Sequence, residues 1–226
     1  MKYISVAIDG PSGAGKSTVA RAAAAQLGYV YVDTGAMYRT VALYMLKNGI
    51  DPQDEAAVSA HCGEADVRVR YENGEQRTYL GGEDVTGLIR TGEVSAAASA
   101  ISKWAAVRRR MVAAQREIAA QADMLIDGRD IGTNVLTDAP VKIFLTATPE
   151  ERARRRYLQQ VEKGDRTPYE QVLSELNARD AQDMNRKTDP LRQAEDAVLV
   201  DSTEMTPEQV VDEIVDIVER VYGKRA

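Results

Sequence analysis

The sequence predicts an α/β fold: a central parallel sheet flanked by helices, with an inserted small antiparallel β unit and a helical lid. Three observations predict it. Short apolar runs ending in acidic residues alternate with helical stretches, beginning with strand, loop–helix and strand over residues 4–33. Near residue 67 the hydrophobic period changes to strict alternation, the mark of a half-buried strand. Two basic helical stretches joined at Gly164 follow a strand at 141–145. With 226 residues the chain has room for one such domain with sub-domains, and an apolar fraction of 44% supports a core.

The first run (Ile4, Val6, Ala7, Ile8) ends in Asp9. Gly10-Pro11-Ser12-Gly13-Ala14-Gly15-Lys16-Ser17 follows and fits G-x-x-x-x-G-K-[ST] at every fixed position. Glycines let a backbone wrap an anion closely, its N–H groups point inward at phosphate oxygens, and the next helix adds the positive end of its dipole. Lys16 then reaches the β/γ-phosphates and the Ser17 hydroxyl suits Mg²⁺. A strand before and a helix after make this a P-loop and the chain a nucleoside triphosphate binder, with a P-loop NTPase fold.

Residues 16–27 read as a helix stopped by Gly28. The β-prone run 29–32 ends in Asp33-Thr34-Gly35-Ala36-Met37-Tyr38-Arg39, at the carboxyl end of the second strand, where open α/β sheets place ligands. A helix is expected from about 35 to 48, with Gly49 as its stop. Thr34, Tyr38 and Arg39 near its start can hold a second phosphate ester. The bland reading is a helix cap at Thr34 and two surface residues. A short helix is expected over 54–63, then a strand over 67–71, a turn at Asn73-Gly74, a return strand over 77–80 and a turn at Gly81-Gly82. Asp84-Val85-Thr86-Gly87 spells the D-x-x-G of a GTPase switch but follows a hairpin, so it is discounted.

Residues 92–121 read as helical with a bend near Trp104. Ser99 lies in a small-residue stretch and reads as an ordinary helix residue. Of Arg108-Arg109-Arg110, one can point into a cleft. The run 124–126 ends in Asp127-Gly128-Arg129-Asp130, and an Asp at a strand end matches the second acidic element around a P-loop Mg²⁺. An exposed Arg–Asp pair adds little stability, which favours a functional role for Arg129 and Asp130. From Pro149 the chain is helical, with Arg152, Arg155 and Arg156 on one face. After Gly164-Asp165, Pro168 opens a second helix, on which Arg179, Asp183 and Arg186 form one stripe by spacing. Such a stripe reads as a surface ion-pair ladder or as part of a lid over phosphates. A last strand over 198–200 and an amphipathic helix over 207–222 finish the chain.

Composition removes other classes. The single histidine, His61, rules out a multi-histidine metal site and, near the end of a helical stretch, reads as structural; a single cysteine, Cys62, excludes an intrachain disulfide and a cysteine zinc site. The net charge of −6 argues against an extended nucleic-acid surface, although 21 Arg against 8 Lys suits a small phosphorylated ligand. No apolar run approaches membrane-spanning length and no signal-peptide anatomy is read, so no membrane partner and a cytoplasmic location are expected.

I-D-G-P-S-G-A-G-K-S, D-T-G-A-M-Y-R, the hairpin insertion, D-G-R-D-I-G-T and R-x-x-x-D-x-x-R occur in one order over about residues 4–202. Together they resemble the cytidylate kinases, a family of nucleoside monophosphate kinases. The resemblance implies phosphoryl transfer from Mg-ATP to CMP or dCMP. ATP would lie on residues 10–18, from Gly10 through Ser17 to Thr18, with Arg155. Thr34, Tyr38 and Arg39 would line the monophosphate site. Ser99, Arg108, Asp130, Asp183 and Arg186 would surround cytosine and its sugar, and Arg129 and Arg179 would sit near the phosphates. Lys16, Arg129 and Arg179 would be catalytic, aided by a lid arginine among Arg152, Arg155 and Arg156. Ser17 and Asp127 would hold Mg²⁺, the latter directly or through water. The resemblance also implies one kinase domain: a core (about 1–33, 86–148 and 187–226), a monophosphate region (34–85) and a lid (149–186). A monomer is expected. A UMP or AMP acceptor remains the enzymatic alternative. A GTP-dependent switch is the non-enzymatic one, but Asn185-Arg186-Lys187-Thr188-Asp189 misses the N-K-x-D spacing such a switch needs.

Overall fold

The structure is a computed structural model and describes residues 3–72 and 74–223. The chain divides into two units, residues 5–29 with 125–226 and residues 1–4 with 30–124.

The unit that carries the P-loop is built on β1 (Ser5–Asp9), β6 (Met124–Asp127), β7 (Val141–Thr146) and β8 (Val198–Asp201), in the order β6-β1-β7-β8. β1 and β7 run parallel with Val6 opposite Val141 and Asp9 opposite Phe144; β7 and β8 run parallel with Ile143 opposite Val198. Val6, Ala7, Ile8, Leu125, Ile126, Ile143 and Leu145 are buried. Such continuous apolar runs are what a parallel sheet covered on both faces requires. α1 (Lys16–Leu27) packs against α8 (Pro207–Tyr222). α8 buries Val210, Ile214, Ile217 and Val218, a stripe at helical spacing. Gly28 ends α1 in the left-handed conformation, its N–H returning to Ala24 and Ala25. α6 (Pro149–Glu162) opens with Pro149 behind a Thr148 cap and packs along α7 (Tyr169–Asn185).

The other unit holds β2 (Val30–Asp33), whose Val30 N–H donates to Asp123 C=O, and α2 (Thr34–Lys47). α2 is capped by Asp33, whose carboxylate accepts from Ala36 N–H at 2.9 Å; Thr34 is its first residue rather than its cap. α3 (Glu55–His61) leads to an antiparallel sheet of β3 (Val67–Glu72), β4 (Glu75–Leu80) and β5 (Glu83–Asp84), in that order. Glu72 pairs with Glu75 and Gly74 takes φ 78°; Asn73 of the expected turn lies outside the described residues. β5 is a third strand that sequence reading left out. It follows Gly81 and Gly82, both at positive φ, and the Asp84 carboxylate then accepts from Thr86 N–H. The expected bend at Trp104 is a full break between α4 (Gly92–Ile101) and α5 (Ala105–Ala119). Trp104 is extended there and its indole donates to Pro52 C=O at 3.0 Å. Met37, Val41, Met45, Val58, Ile89, Ile101, Val107 and Met111 form this unit's core.

Candidate active site

The P-loop connects β1 to α1. Gly10 (φ 149°), Gly13 (φ 76°) and Gly15 (φ 86°) take backbone conformations that L side chains avoid. A Cβ on Gly10 would lie 1.9 Å from Leu145 C=O, so the loop leaves the sheet along a path only glycine fits. Pro11 and Ala14 are buried; Ser17 and Thr18, at the start of α1, are exposed. The Lys16 ammonium is buried and donates to Gly10 and Pro11 C=O, both at 2.7 Å. Burial, and next the Arg129 guanidinium, lower its pKa to about 7.

Two acidic strand ends flank this loop. The Ser17 hydroxyl donates to Asp127 Oδ2 at 2.8 Å. Asp9 accepts from Ile131 N–H (2.8 Å) and Gly132 N–H (2.7 Å) and so fixes the segment after Asp130. Its burial outweighs those two hydrogen bonds and pushes its pKa up to about 6. Sequence reading used Asp9 only as the end of a strand. It had the same signal as Asp127, an acid closing an apolar run beside the glycines.

Arg129, Asp130, Asp183 and Arg186 form one charged network. Arg129 Nε donates to Asp183 Oδ2 at 3.0 Å, and Arg186 Nη2 to Asp130 Oδ1 at 3.2 Å. Arg186 Nη1 lies 3.9 Å from Asp183 Oδ1, and Asn134 Nδ2 donates to Asp130 Oδ2. The stripe expected by spacing stops short of Arg186. α7 ends at Asn185 and Arg186 is extended (φ −64°, ψ 144°), so it leaves the helix and reaches Asp130 from the turn beyond. Arg179 is half-buried on α7.

The expected lid arginines separate. Arg152 is buried, with its guanidinium on Ala147 C=O, Ser12 C=O and the Asp180 carboxylate. Arg155 donates to Glu151, to the Ser202 hydroxyl and to Ser202 C=O. Arg156 is exposed. Nothing in the sequence pairs Asp180 with Arg152, since the two lie 28 residues apart on different helices.

In the other unit, Asp33 gathers a second set. Its Oδ2 accepts from Arg39 Nη2 at 2.8 Å and from Arg90 Nη2 at 3.2 Å. The Arg39 side chain folds back over the start of α2, and Gly35 admits it: a Cβ there would lie 3.1 Å from Arg39 Nη1. Arg39 Nε is buried with no hydrogen-bond partner among the described residues, a donor that an anion would satisfy. Gln76, on β4, accepts from Asp33 N–H (2.7 Å) and donates to Asp33 C=O (3.2 Å). Arg108 is 2% exposed, and its guanidinium carbon lies 6.0 Å from the Tyr38 ring centre. Arg109 is exposed and Arg110 donates to Ala65 C=O. Thr34 is buried and Ser99 half-buried. Sequence reading missed Arg90 and Gln76, which lie 57 and 43 residues from Asp33 with no motif to join them.

The parallel sheet, the glycine-wrapped loop and its buried lysine define a P-loop nucleotide-binding protein of α/β class. An uncharacterised protein from Eubacterium ventriosum shares the fold at TM-score 0.53 and 14% identity, with 97% of this chain and 99% of that one covered. The family is set by sequence: the model for cytidylate kinase matches residues 6–220, and the chain belongs to that family. It is 49% identical to a cytidylate kinase of Caldicellulosiruptor bescii over 98% of both chains. It is 51% identical to one of Mycobacterium avium over 94% of both, and 49% identical to one of Mycobacterium leprae over 99% of both.

Proposed function

We propose that this chain catalyses phosphoryl transfer from Mg-ATP to CMP, giving ADP and CDP, and accepts dCMP as well. The observation that carries the reading is the charged network Arg129–Asp183–Arg186–Asp130 in the same unit as the P-loop. Carboxylates held by guanidinium groups suit cytosine: a carboxylate accepts from the exocyclic amine and a guanidinium donates to the ring carbonyl. Uracil has no such amine and would leave an acceptor unpaired.

In the P-loop unit, the loop with Thr18 and Arg155 binds ATP, Asp130, Asp183 and Arg186 read the base, and Arg129 and Arg179 face the phosphates. In the other unit, Thr34, Tyr38 and Arg39 are assigned to the acceptor's phosphate, and Ser99 and Arg108 to its nucleoside. The acceptor is already an anionic oxygen, so the reaction needs no general base. Catalysis is alignment plus neutralisation of the transferring group by Lys16, Arg129, Arg179 and a lid cation, either the exposed Arg156 or Arg155 once it is released from Glu151 and Ser202.

Ser17 and Asp127 suit Mg²⁺, which takes hard oxygen ligands and keeps waters and substrate phosphates for its other positions. When bound, it neutralises charge on the β- and γ-phosphates.

We assign residues 149–186 to a lid that excludes water and residues 34–85 to a monophosphate-binding region, with which residues 86–124 share a hydrophobic core, and the remainder to the kinase core. Among the described residues no helix is long and apolar enough to cross a membrane. A monomer that works in the cytoplasm without nucleic acid completes the proposal.

Product analysis by phosphorus NMR tests the reaction. CDP and ADP are expected in equal amounts from ATP and CMP, with no ADP formed when CMP is left out. ADP formed at the same rate without CMP contradicts the reading.

A further inference from the structure

We infer that the buried pair Arg152–Asp180 is a positioning device: it clamps the Ser12 peptides and presets the P-loop for the triphosphate. The inference rests on the reading of that loop as the ATP site.

Both residues are buried, at 5% exposure. Arg152 lies in the first turn of α6 and Asp180 near the end of α7. They hold the loop from both sides of one residue. Ser12 N–H donates to Asp180 Oδ1 at 3.1 Å, and Ser12 C=O accepts from Arg152 Nη1 at 2.9 Å. These groups belong to consecutive peptide units, so the pair fixes the orientation of both. Arg152 Nε is held in turn by Ala147 C=O at 2.9 Å, which ties the clamp to the chain leaving β7. The two helices also press on the next residue. A Cβ on Gly13 would lie 2.9 Å from Leu176 Cδ1 and 3.2 Å from both Cβ and C=O of Arg152.

Stability alone is a poor reason for such a pair. Exchanging a buried ion pair for well-packed apolar side chains is often neutral or stabilising. Apolar side chains cannot, however, hold a backbone N–H and a backbone C=O in set directions. A phosphate-binding loop depends on those directions, because its ligand is bound by backbone N–H groups. The guanidinium of Arg152 is committed to protein acceptors and acts on phosphate through the loop.

The test is the double variant Arg152→Met with Asp180→Leu. It removes both charges and leaves the Ser12 groups without partners. Its melting temperature, its affinity for a fluorescent ADP analogue and its KM values for ATP and CMP are compared with those of the parent. Expected are a folded variant with a melting temperature several degrees below the parent, because Ser12 and Ala147 lose their partners, ADP affinity and ATP KM worsened 10-fold or more, and CMP KM within 3-fold. Parental ADP affinity in the folded double variant overturns the inference and leaves the pair a structural one. If the double variant does not fold, Arg152→Lys takes its place. It keeps the charge, but one ammonium cannot reproduce the planar fork on three acceptors. A 5-fold loss of ADP affinity is expected from it, and none overturns the inference. Failure of the CMP reading is separate: it shows as a parent protein that binds ADP yet leaves CMP unphosphorylated, while the clamp is still read from ADP affinity.

Discussion

At the scale of the residue, the site is a set of charges held away from water, and its chemistry follows from what each one lacks. Lys16 sits buried on two carbonyls with its pKa lowered to about 7. Bound phosphate supplies the opposite charge and raises that pKa, so binding near pH 7–8 takes up a proton. Calorimetry of ADP binding in buffers of different ionisation enthalpy should show an uptake of about half a proton or more; no buffer dependence contradicts it. Arg129, bonded to Asp183, also neighbours Lys16. Arg129→Ala should cut kcat by about 10³-fold or more while the KM for ATP changes little, and unchanged turnover removes its catalytic role. Asp9 gives a stability prediction with a definite sign. Its folded pKa is about 6 against an ordinary 3.8, so in that window the folded chain keeps a proton that the unfolded chain has released. Its contribution is complete below about pH 4 and is lost as pH rises through 6. Asp9→Asn should flatten this stretch of the stability–pH curve in urea melts between pH 4 and 7. The P-loop, Lys16, Ser17 and Asp127 were legible in the sequence because each sits in a motif or at the end of an apolar run. Asp180 and Arg90 were not, because an ion pair across 28 or 57 residues leaves no local trace.

At the scale of the element, strands and helices put these residues in place. The central strands showed plainly in the sequence, since a parallel strand covered on both faces reads as a near-continuous apolar run, as in 6–8 and 124–126. Helix ends were harder to read. α7 stops at Asn185, so a stripe drawn by spacing alone carried Arg186 onto a helix it has already left. The α4–α5 break at Trp104 is likewise set by a tertiary contact, the indole donating to Pro52, which propensity does not encode. The antiparallel unit has a task beyond its own folding. Gln76 on β4 closes both backbone groups of Asp33 and thereby steadies the start of α2. Gln76→Ala should cost about 2 kcal/mol, the worth of two hydrogen bonds. It should also raise the KM for CMP several-fold with the KM for ATP unmoved. Equal changes in both constants would count against its assignment to the acceptor side.

At the scale of the whole molecule, the chain divides into one unit that carries the P-loop and one that carries Arg39, Tyr38 and Arg108. Family membership rests on agreement along almost the full length, residues 6–220, and not on the P-loop alone. The central claim is the acceptor. Its most direct test is a coupled ADP-release assay with Mg-ATP and CMP, dCMP, UMP, AMP or GMP, beside a control without acceptor. Activity should concentrate on CMP and dCMP, with UMP, AMP and GMP far behind and the control at background. Equal rates with UMP, or ADP release that needs no acceptor, would contradict the account.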